Sequence, residues 1–287
     1  MNVLVTGARG QLGREWMRYL QARGLNCSAY SSREMDITDS ASVENGLNRD
    51  RPDLVINCAA WTDVDGAEDH YEEAKAVNCL GPALLAAECG NRDIKLVHYS
   101  TDYVFSGTGE DRNRYPDGYT ETVPASPVNS YGRSKHEGEK LLLSDGAPVL
   151  VIRLSWLCGV EGSNFVNTML RIGRKGEVSV VNDQFGSPTW ADEIPEATLR
   201  LLYREQEGIF HYTSTGVLSW YELAQAIFKE ADMKVSVTPI RSDEYPTRAR
   251  RPYWSKLNTD KYSRITGVVP AGWRSGLKRL LRRLSDH

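Results

Sequence analysis

Three glycines near the start of the chain constrain its fold more than any other feature. Asn2-Val-Leu-Val-Thr6 has the composition of a short buried strand, Gly7, Gly10 and Gly13 follow it at once, and a helical pattern occupies residues 11–22. Strand, glycine turn and helix in this order are the context of a dinucleotide-binding unit, whose helix N-terminus offers free amides to a pyrophosphate. The glycines permit the tight turn, the close approach of the phosphates and the packing of helix on strand. We predict a cradle formed by Gly7, Gly10, Gln11, Leu12 and Gly13.

The alternation of strand and helix continues through the first half of the chain. Apolar strands are predicted near residues 26–30, 53–57, 95–100 and 148–153, with helical stretches between them. Such alternation indicates a parallel sheet with helices on both faces. The predicted fold class is therefore α/β, a Rossmann-type doubly wound parallel sheet with a smaller C-terminal substrate-binding lobe. We place the dinucleotide-binding domain at residues 1–155, with some later segments returning to it, and the lobe mainly at 156–287.

The composition excludes several classes of protein. A formal net charge of −3 over 287 residues argues against broad nucleic-acid binding. No apolar run approaches the ~20 residues that span a bilayer, and the N-terminus lacks the pattern of a signal peptide. The five cysteines include no Cys-x-x-Cys pair, so reduced thiols are expected rather than disulfides or zinc. We expect a cytoplasmic protein with no membrane or nucleic-acid partner.

The residues after the second predicted strand bear on the choice of cofactor. A site selective for NAD usually has an acidic residue about 20 positions beyond the glycines, and none stands there. Ser32 and Arg33 suit a 2′-phosphate instead, which favours NADPH, although NADH stays open and Arg33 also fits a solvated loop. Asp36 and Ile37 follow, where a carboxylate and an apolar side chain can flank the adenine. Asp36 is equally a candidate cap for the next helix.

Other candidate residues stand at the ends of the remaining strands. Ligands of doubly wound sheets bind beyond the carboxyl ends of the strands, so residues from separate strands converge there. Thr101 and Trp156 follow two of the predicted strands. We assign further cofactor contacts to Ala59, Ala60, Trp61, Thr62, Asn78 and Tyr99.

Tyr131 and Lys135 stand four residues apart on a predicted helix, so their side chains share a face. A phenol titrates near ~10, and a neighbouring ammonium lowers that pKa towards the range of a general acid or base. The same spacing is also typical of a half-buried tyrosine beside a solvated lysine. The spacing of Tyr131 and Lys135 indicates a catalytic pair only in combination with the dinucleotide cofactor that the glycine motif predicts.

Several longer motifs place the chain in a known family. They include Tyr99-Ser-Thr-Asp-Tyr-Val-Phe105, Tyr131-Gly-Arg-Ser-Lys135, Asp183-Gln-Phe-Gly-Ser-Pro-Thr189 and Arg250-Arg-Pro252. With these motifs the chain resembles the extended short-chain dehydrogenase/reductases, and among them the dTDP-4-dehydrorhamnose reductase family. The resemblance runs from about residue 3 to residue 260.

The resemblance implies a reductase with a triad of Thr101, Tyr131 and Lys135. In such enzymes NADPH, or NADH, delivers hydride to the C4 carbonyl of a dTDP-linked 4-keto sugar, here dTDP-4-dehydro-L-rhamnose. Tyr131 would donate the proton to the developing oxyanion, and Thr101 would hydrogen-bond the same oxygen. Lys135 would bind the nicotinamide ribose and tune the phenol. Tyr131 and Lys135 therefore count as cofactor contacts as well.

Tyr103 separates reduction from a related reaction. Nucleotide-sugar dehydratases, which are similar to this chain, carry Thr-Asp-Glu where it reads Thr101-Asp102-Tyr103. A phenol has the wrong pKa and reach to replace the glutamate, so dehydration is not expected. We assign Thr101, Asp102, Tyr103, Trp156 and Arg251 to the substrate. Trp156 fits a sugar contact and plain core equally, and a solvated basic loop is an alternative for the segment that contains Arg251.

Two functional alternatives and one metal question stay open. One alternative is reduction of another 4-keto deoxysugar nucleotide. The other is a non-catalytic NADP-binding subunit, since the β subunit of methionine adenosyltransferase also resembles these reductases. Some relatives form a homodimer through Mg²⁺ held by acidic residues. Glu15 matches one such position and Asp192 matches another loosely, yet both acids fit plain surface residues, and no metal site is predicted.

Overall fold

The computed structural model describes residues 1–144 and 148–286. Its strands, in chain order, are β1 (Val3–Thr6), β2 (Cys27–Tyr30), β3 (Leu54–Asn57), β4 (Lys95–Thr101), β5 (Val149–Leu154), β6 (Leu157–Cys158), β7 (Glu177–Val181), β8 (Phe185–Gly186), β9 (Thr189–Trp190), β10 (Gly208–His211), β11 (Leu218–Ser219) and β12 (Ser236–Ile240).

The α-helices are α1 (Gln11–Ala22), α2 (Ser40–Asp50), α3 (Gly66–Asp69), α4 (Tyr71–Lys75), α5 (Gly81–Gly90), α6 (Gly109–Arg114), α7 (Ser130–Ser144), α8 (Phe165–Ile172), α9 (Ile194–Leu202), α10 (Trp220–Glu230), α11 (Asp260–Thr266) and α12 (Trp273–Ser285). Short 3₁₀ turns occupy Asp102–Val104, Gly173–Lys175, Ala191–Glu193 and Ser242–Glu244, and a π-helical turn spans Ala76–Leu80. No helix in these ranges is long and apolar enough to cross a membrane.

The central sheet is parallel and doubly wound, as predicted. Its strand order is β10-β5-β4-β3-β1-β2, and every pairing within it is parallel. The chain starts at β1, runs outward to β2, and returns past β1 to β3. The order therefore reverses between β1 and β3, and the turns after these two strands meet at the point where such sheets bind ligands.

Apolar side chains cover both faces of this sheet. On one face Trp16 and Leu20 of α1 pack with residues of α9, and on the other Leu47 of α2 packs with Leu85 of α5. Segments from the second half of the chain join the first of these clusters, through α9, β10 and α11. A separate cluster built by α8, α10 and α12 forms the core of the C-terminal lobe.

One predicted helix is divided in the structure. The sequence suggested a single helix from about Gly66 through Asn78, but α3 ends at Asp69, α4 follows, and the π turn carries Asn78. The break lies at His70, whose backbone leaves helical geometry with φ −126° and ψ 51°. A π turn re-aims the residues within it, and here it directs Asn78 towards the turn after β3.

Candidate active site

The glycine cradle has the geometry that a dinucleotide pyrophosphate needs. Gly7 has φ +62°, and a Cβ added there would lie 2.5 Å from the Ala59 amide nitrogen. A Cβ on Gly13 would lie 2.3 Å from the Gly7 carbonyl oxygen. Gly10 is the N-cap of α1, and no side chain caps the first turn of that helix. The free amides and the positive end of the helix thus face the cleft, which fits a phosphate group.

Gln11 and Leu12 belong to the cradle through their backbone alone. The Leu12 side chain is buried in the core beneath α1. The Gln11 side chain donates to the Leu157 carbonyl over 3.1 Å and accepts from Asn164 over 2.7 Å. Gln11 therefore joins the cradle to the C-terminal lobe, and only its amide is available to a ligand.

The loop after β2 presents a cationic edge beside the cradle. Ser32 and Arg33 are both exposed, and in the described ranges Arg33 forms no ion pair. Arg9, which lies inside the glycine motif, extends to the same edge and approaches Glu34 within 4.0 Å. Sequence reasoning overlooked Arg9, although a basic residue inside the motif was a visible signal. Two arginines at this edge favour a 2′-phosphate over a free hydroxyl.

Asp36 is exposed and Ile37 is buried, and their placement beside the adenine stays a prediction. The Asp36 carboxylate accepts from the Thr38 amide over 2.9 Å and from its hydroxyl over 2.8 Å. The N-cap of α2 is Asp39, which accepts from the Ala41 amide, so the capping alternative for Asp36 is wrong. Ile37 is buried in the core, packed against Gly81 at the start of α5.

The turn after β3 is held in place by Asn78. Its side-chain oxygen accepts from the Trp61 amide over 2.9 Å, and its side-chain nitrogen donates to the Trp61 carbonyl over 3.1 Å and to Ser134 over 3.0 Å. Asn78 is fully buried, so it positions the turn rather than offering a free group. Ala59, Ala60 and Trp61 are partly buried and Thr62 is exposed, and the backbone of Ala59 lies against Gly7.

The phenol of Tyr99 is not available to a cofactor. Its phenol accepts from the Trp16 indole over 2.9 Å and shares a hydrogen bond with Thr198, deep in the core. Its carbonyl oxygen, in contrast, accepts from the Lys135 amine over 2.6 Å. The contact of Tyr99 with the site is therefore this carbonyl.

Thr101 and Tyr131 meet at the carboxyl end of β4. The Thr101 hydroxyl donates to the Asp102 carboxylate over 3.1 Å and accepts from the Tyr103 amide over 3.2 Å. Burial raises the pKa of Tyr131 to about 12, a hydrogen bond with Thr101 opposes that rise, and the charge of Asp102 adds to it. The rings of Tyr103 and Tyr131 lie edge to face, with centroids 5.8 Å apart.

Lys135 does not lower the pKa of Tyr131 in the way that the spacing predicted. Its amine is almost completely buried and bonds to the Tyr99 carbonyl and, over 3.1 Å, to Nε2 of His98. Burial lowers the pKa of Lys135 to about 8, while Glu139 acts in the opposite direction. The lysine side chain extends past the phenol to the strand below because α7 packs directly on β4.

Asp102 is a buried carboxyl beside the two tyrosines. Burial raises the pKa of Asp102 to about 7, and hydrogen bonds with Ser255 and Thr101 hold it from rising further. The same burial, together with the charge of Asp102, raises the pKa of Tyr103 above its ordinary range. At neutral pH the carboxyl therefore exists in both protonation states, while the phenol of Tyr103 stays neutral.

A cavity of about 900 Å³ opens between the sheet and the C-terminal lobe, and Tyr103 is among its lining residues. Aromatic residues, a few polar groups and two arginines line it. They include Phe165, Gln184, Trp220, Tyr245, Arg250, Arg251 and Tyr253. Of the residues that the sequence assigned to substrate, Tyr103 and Arg251 line this cavity.

The arginines of the 248–251 segment differ in their partners. Arg248 is paired with Asp69, and Arg251 donates to both oxygens of Asp65 over 3.1 and 2.7 Å. Arg250 lines the cavity, is exposed, and forms no ion pair within the described part of the chain. Its own carbonyl accepts from Asn129, the residue that caps α7 by bonding the Gly132 amide. The unpaired cation facing the cavity is therefore Arg250 rather than Arg251.

Trp156 lies behind the cavity wall. Its ring stacks on Trp220 with centroids 3.4 Å apart, and Trp220 is the residue that lines the cavity. Trp156 has φ +47°, an unusual backbone conformation for a bulky residue and one that tends to occur at functional sites. A direct sugar contact is therefore better assigned to Trp220, with Trp156 supporting its ring.

The acidic residues considered for Mg²⁺ are already neutralised by arginines. Glu15 is buried and accepts from Arg18 and Arg283, each over 2.9 Å. Asp192 accepts from Arg279 over 2.5 Å and lies 3.5 Å from Arg283. In the described residues, no cluster of His, Cys, Asp or Glu side chains is arranged to hold a metal ion. With both carboxylates engaged by arginines, Glu15 and Asp192 of the single chain do not fit Mg²⁺.

Comparison with known proteins identifies the family. Residues 1–286 match the family described as RmlD substrate binding domain. The chain belongs to this family. It is 35% identical to a dTDP-4-dehydrorhamnose reductase of Escherichia coli, over 99% of this chain and 98% of that protein. It is 41% identical to a dTDP-4-keto-6-deoxy-D-glucose reductase of Streptomyces niveus, over 93% and 91% of the two.

A solved structure of the RmlD family agrees with this fold along its length. The dTDP-4-dehydrorhamnose reductase of Bacillus anthracis, solved in complex with NADP, is 36% identical and superposes with a TM-score of 0.93, covering 98% of this chain and 99% of that one. The recognition made from the sequence motifs is thus confirmed. So is the Rossmann-type fold class.

Proposed function

We propose that this chain is an NADPH-dependent reductase of a dTDP-linked 4-keto sugar, with dTDP-4-dehydro-L-rhamnose as substrate and dTDP-L-rhamnose as product. The observation that carries the proposal is the convergence of Thr101, Tyr131 and Lys135 between a dinucleotide cradle and a cavity large enough for a nucleotide sugar. Membership of the RmlD family supports the reaction class. The NADP complex of a relative supports NADPH, as do Arg33 after β2 and Arg9 in the glycine motif.

The side chains of the site divide the chemistry between them. When bound, the cofactor supplies the hydride. The substrate oxygen then gains negative charge, and Tyr131 is the donor that meets it, since its raised pKa keeps the phenol protonated at neutral pH. Thr101 hydrogen-bonds the same oxygen. Its single proton is free for this when Asp102 is protonated, which the pKa near 7 allows.

The cavity explains how the rest of the substrate is held. Arg250 is the available partner for the diphosphate, because charge-assisted bonds from a guanidinium suit phosphate oxygens. Tyr245, Tyr253 and Trp220 provide aromatic surface for the base and the sugar. The half-buried Asp65–Arg251 pair joins the turn that follows β3 to the lobe, so it fixes the cavity wall beside the cofactor cleft.

The proposal is tested with purified protein, NADPH and dTDP-4-dehydro-L-rhamnose. We expect cofactor oxidation and a product whose C4 configuration, read by NMR, is that of dTDP-L-rhamnose. Tyr131→Phe removes turnover, and Tyr103→Phe serves as the matched control because it deletes a neighbouring phenol that donates no proton in the reaction. Absence of turnover in the wild type, or equal rates in the wild type and Tyr131→Phe, would contradict the proposal.

A different deoxysugar nucleotide is the second candidate substrate. The relative from Streptomyces niveus is named for dTDP-4-keto-6-deoxy-D-glucose, and its identity of 41% is of the same order as that of the rhamnose enzymes. A panel of dTDP-linked 4-keto sugars of both C5 configurations separates the two, by comparison of kcat/KM. The relatives named above are reductases, which does not support a non-catalytic regulatory subunit.

We also propose a cytoplasmic location. The described cysteines are all unpaired, and burial raises the pKa of the Cys58, Cys89 and Cys158 thiols, as expected for structural thiols in a reducing compartment. Fractionation of the native host would test it.

A further inference from the structure

A buried chain of hydrogen bonds leads from β1 to the catalytic lysine. Asn57 of β3 bonds Nδ1 of His98 on β4 over 3.0 Å, and Nε2 of His98 bonds the Lys135 amine over 3.1 Å. His98 is fully buried and Asn57 is 1% exposed. Because these three side chains bond directly to one another, the donor and acceptor chemistry of each partner determines where the protons of these hydrogen bonds lie.

The orientation of the Asn57 amide is fixed by a permanent donor. The backbone N–H of Ala59 donates to Oδ1 over 3.1 Å, and the Thr6 hydroxyl donates to the same oxygen over 2.7 Å. The nitrogen of the amide therefore faces His98. Since an NH₂ group only donates, Nδ1 of His98 must accept.

It follows that the neutral ring of His98 carries its proton on Nε2. Burial keeps His98 neutral by lowering its pKa well below the ordinary value, and the charge of Lys135 adds to this. The Nε2–H then points at the Lys135 nitrogen. An ammonium has no lone pair with which to accept it, whereas a neutral amine accepts from His98 and donates to the Tyr99 carbonyl at 2.6 Å.

We propose that Asn57 and His98 are positioning residues that favour the neutral amine of Lys135 in the free protein under mildly alkaline conditions, and that Lys135 takes up a proton and leaves His98 when the cofactor supplies an acceptor. The functional part of this inference rests on the proposed function, because the acceptor is the ribose of the nicotinamide cofactor. The protonation pattern of the free protein does not depend on it.

The charges around Lys135 agree with such a poised state. Burial lowers its pKa to about 8, so the neutral amine dominates above that pH, and donation from the Nε2–H of His98 favours the same neutral form. Glu139, one turn along α7, acts in the opposite direction, but its carboxylate is paired with Arg153 of β5 over 2.8 and 2.6 Å. Further titratable groups of the site are Tyr131 on the same helix and Asp102 and Tyr103 after β4, which interact with one another.

The protonation pattern can be measured without substrate or cofactor. Long-range ¹H–¹⁵N spectra of the full chain labelled with ¹⁵N-histidine distinguish the two neutral tautomers. His211 is a built-in reference: it is also fully buried, but its Nδ1 faces the Tyr119 carbonyl and its Nε2 faces Arg153, so the same reasoning places its proton on Nδ1. We expect opposite tautomers for His98 and His211. A His98 ring protonated on Nδ1, or on both nitrogens, would overturn the inference.

Asn57→Asp is the matched variant. It keeps the oxygen that accepts from the Ala59 amide and the Thr6 hydroxyl, but it replaces the NH₂ group that donates to His98 by an oxygen that accepts. We expect the His98 proton to move to Nδ1, the His211 signal to stay, and Lys135 to become an ammonium that donates to Nε2. An unchanged His98 tautomer in a folded variant would refute the assignment.

The linkage to cofactor binding is read by calorimetry of NADP⁺ in buffers of different ionisation enthalpy. Because the neutral form of Lys135 dominates above its pKa, the wild type should take up close to one proton per site at a pH about one unit above 8. Asn57→Asp should take up much less. Binding without proton uptake in the wild type refutes the coupling, whereas failure of NADP⁺ to bind with the expected tautomers would contradict the proposed function instead.

Discussion

Arg250 and Arg251 are adjacent and line the same cavity, but we expect their replacement by alanine to affect different properties of the protein. Arg250 has no acidic partner in the described residues, so Arg250→Ala removes a cation without leaving a carboxylate unpaired. Arg251→Ala leaves Asp65 without the two bonds of 2.7 and 3.1 Å that it now accepts. The first change should affect binding, and the second should affect stability.

The magnitudes follow from the kinds of contact. A hydrogen bond to a charged group contributes about 1.5–3 kcal/mol, so loss of the Arg250 contact with a diphosphate should raise KM roughly 10- to 150-fold. Since the diphosphate is held equally in ground and transition states, kcat should change little. For Arg251, the pair is about one-quarter and one-third exposed, which limits its loss to roughly 1–2 kcal/mol, or a few degrees in Tm.

The assay is steady-state kinetics at saturating NADPH, paired with thermal unfolding of each variant. Arg250→Lys should recover part of the KM, because the charge is kept and the paired geometry is lost. Asp65→Ala in combination with Arg251→Ala should be less destabilising than the sum of the single changes, since both partners are then gone. A normal KM in Arg250→Ala together with a raised KM and unchanged Tm in Arg251→Ala would show that Arg251 reads the diphosphate.

Four other outcomes are expected from the same structure. Tyr131→Phe should reduce kcat by about 10²–10⁴ while NADPH still binds, as measured by fluorescence titration. Arg33→Ala should raise KM for NADPH several-fold and leave KM for NADH unchanged. Burial raises the pKa of Glu139, but Arg153 and other hydrogen bonds outweigh this and lower the pKa to about 2, so the carboxylate stabilises the fold above its unfolded pKa. Acid titration of unfolding should show this stability lost as pH falls from about 4.5 towards 2. Glu139→Gln should not show that loss. EDTA should change neither turnover nor the mass measured by light scattering, because arginines occupy the place of Mg²⁺ at Glu15.

The elements that hold the site were largely predictable from local sequence. Three glycines at positions 7, 10 and 13 permit a tight turn and close backbone approach, which made the cradle predictable. The predicted helix over 11–22 is α1 as observed. The periodic apolar strands predicted the parallel order because a strand buried on both faces lacks polar alternation. Prediction failed where the helix was interrupted, since nothing in the composition of residues 66–80 distinguishes the break at His70 and the π turn Ala76–Leu80 from a continuous helix.

The partners of the site residues were not predictable in the same way. Gln11, Asn78 and Tyr99 stand at positions that belong to the cofactor cleft, but their side chains are used by contacts more than 15 residues away in sequence. Arg250 and Arg251 are indistinguishable by type, and only the fold places Asp65 against one of them. Tertiary pairing therefore decides which member of a motif stays free for a ligand.

The protonation state of Tyr131 suits the proposed reduction. A proton donor must be protonated before hydride transfer, and a phenol whose pKa burial raises to about 12 meets this condition in almost every molecule at neutral pH. Oxidation would need the phenolate, which this environment opposes. The charge that would lower the pKa of the phenol is that of Lys135, and in the proposed free state the His98 contact opposes this charge. In the proposed complex the ammonium would lie beside Tyr131, where lowering the pKa of the phenol would help it to give its proton to the new alkoxide.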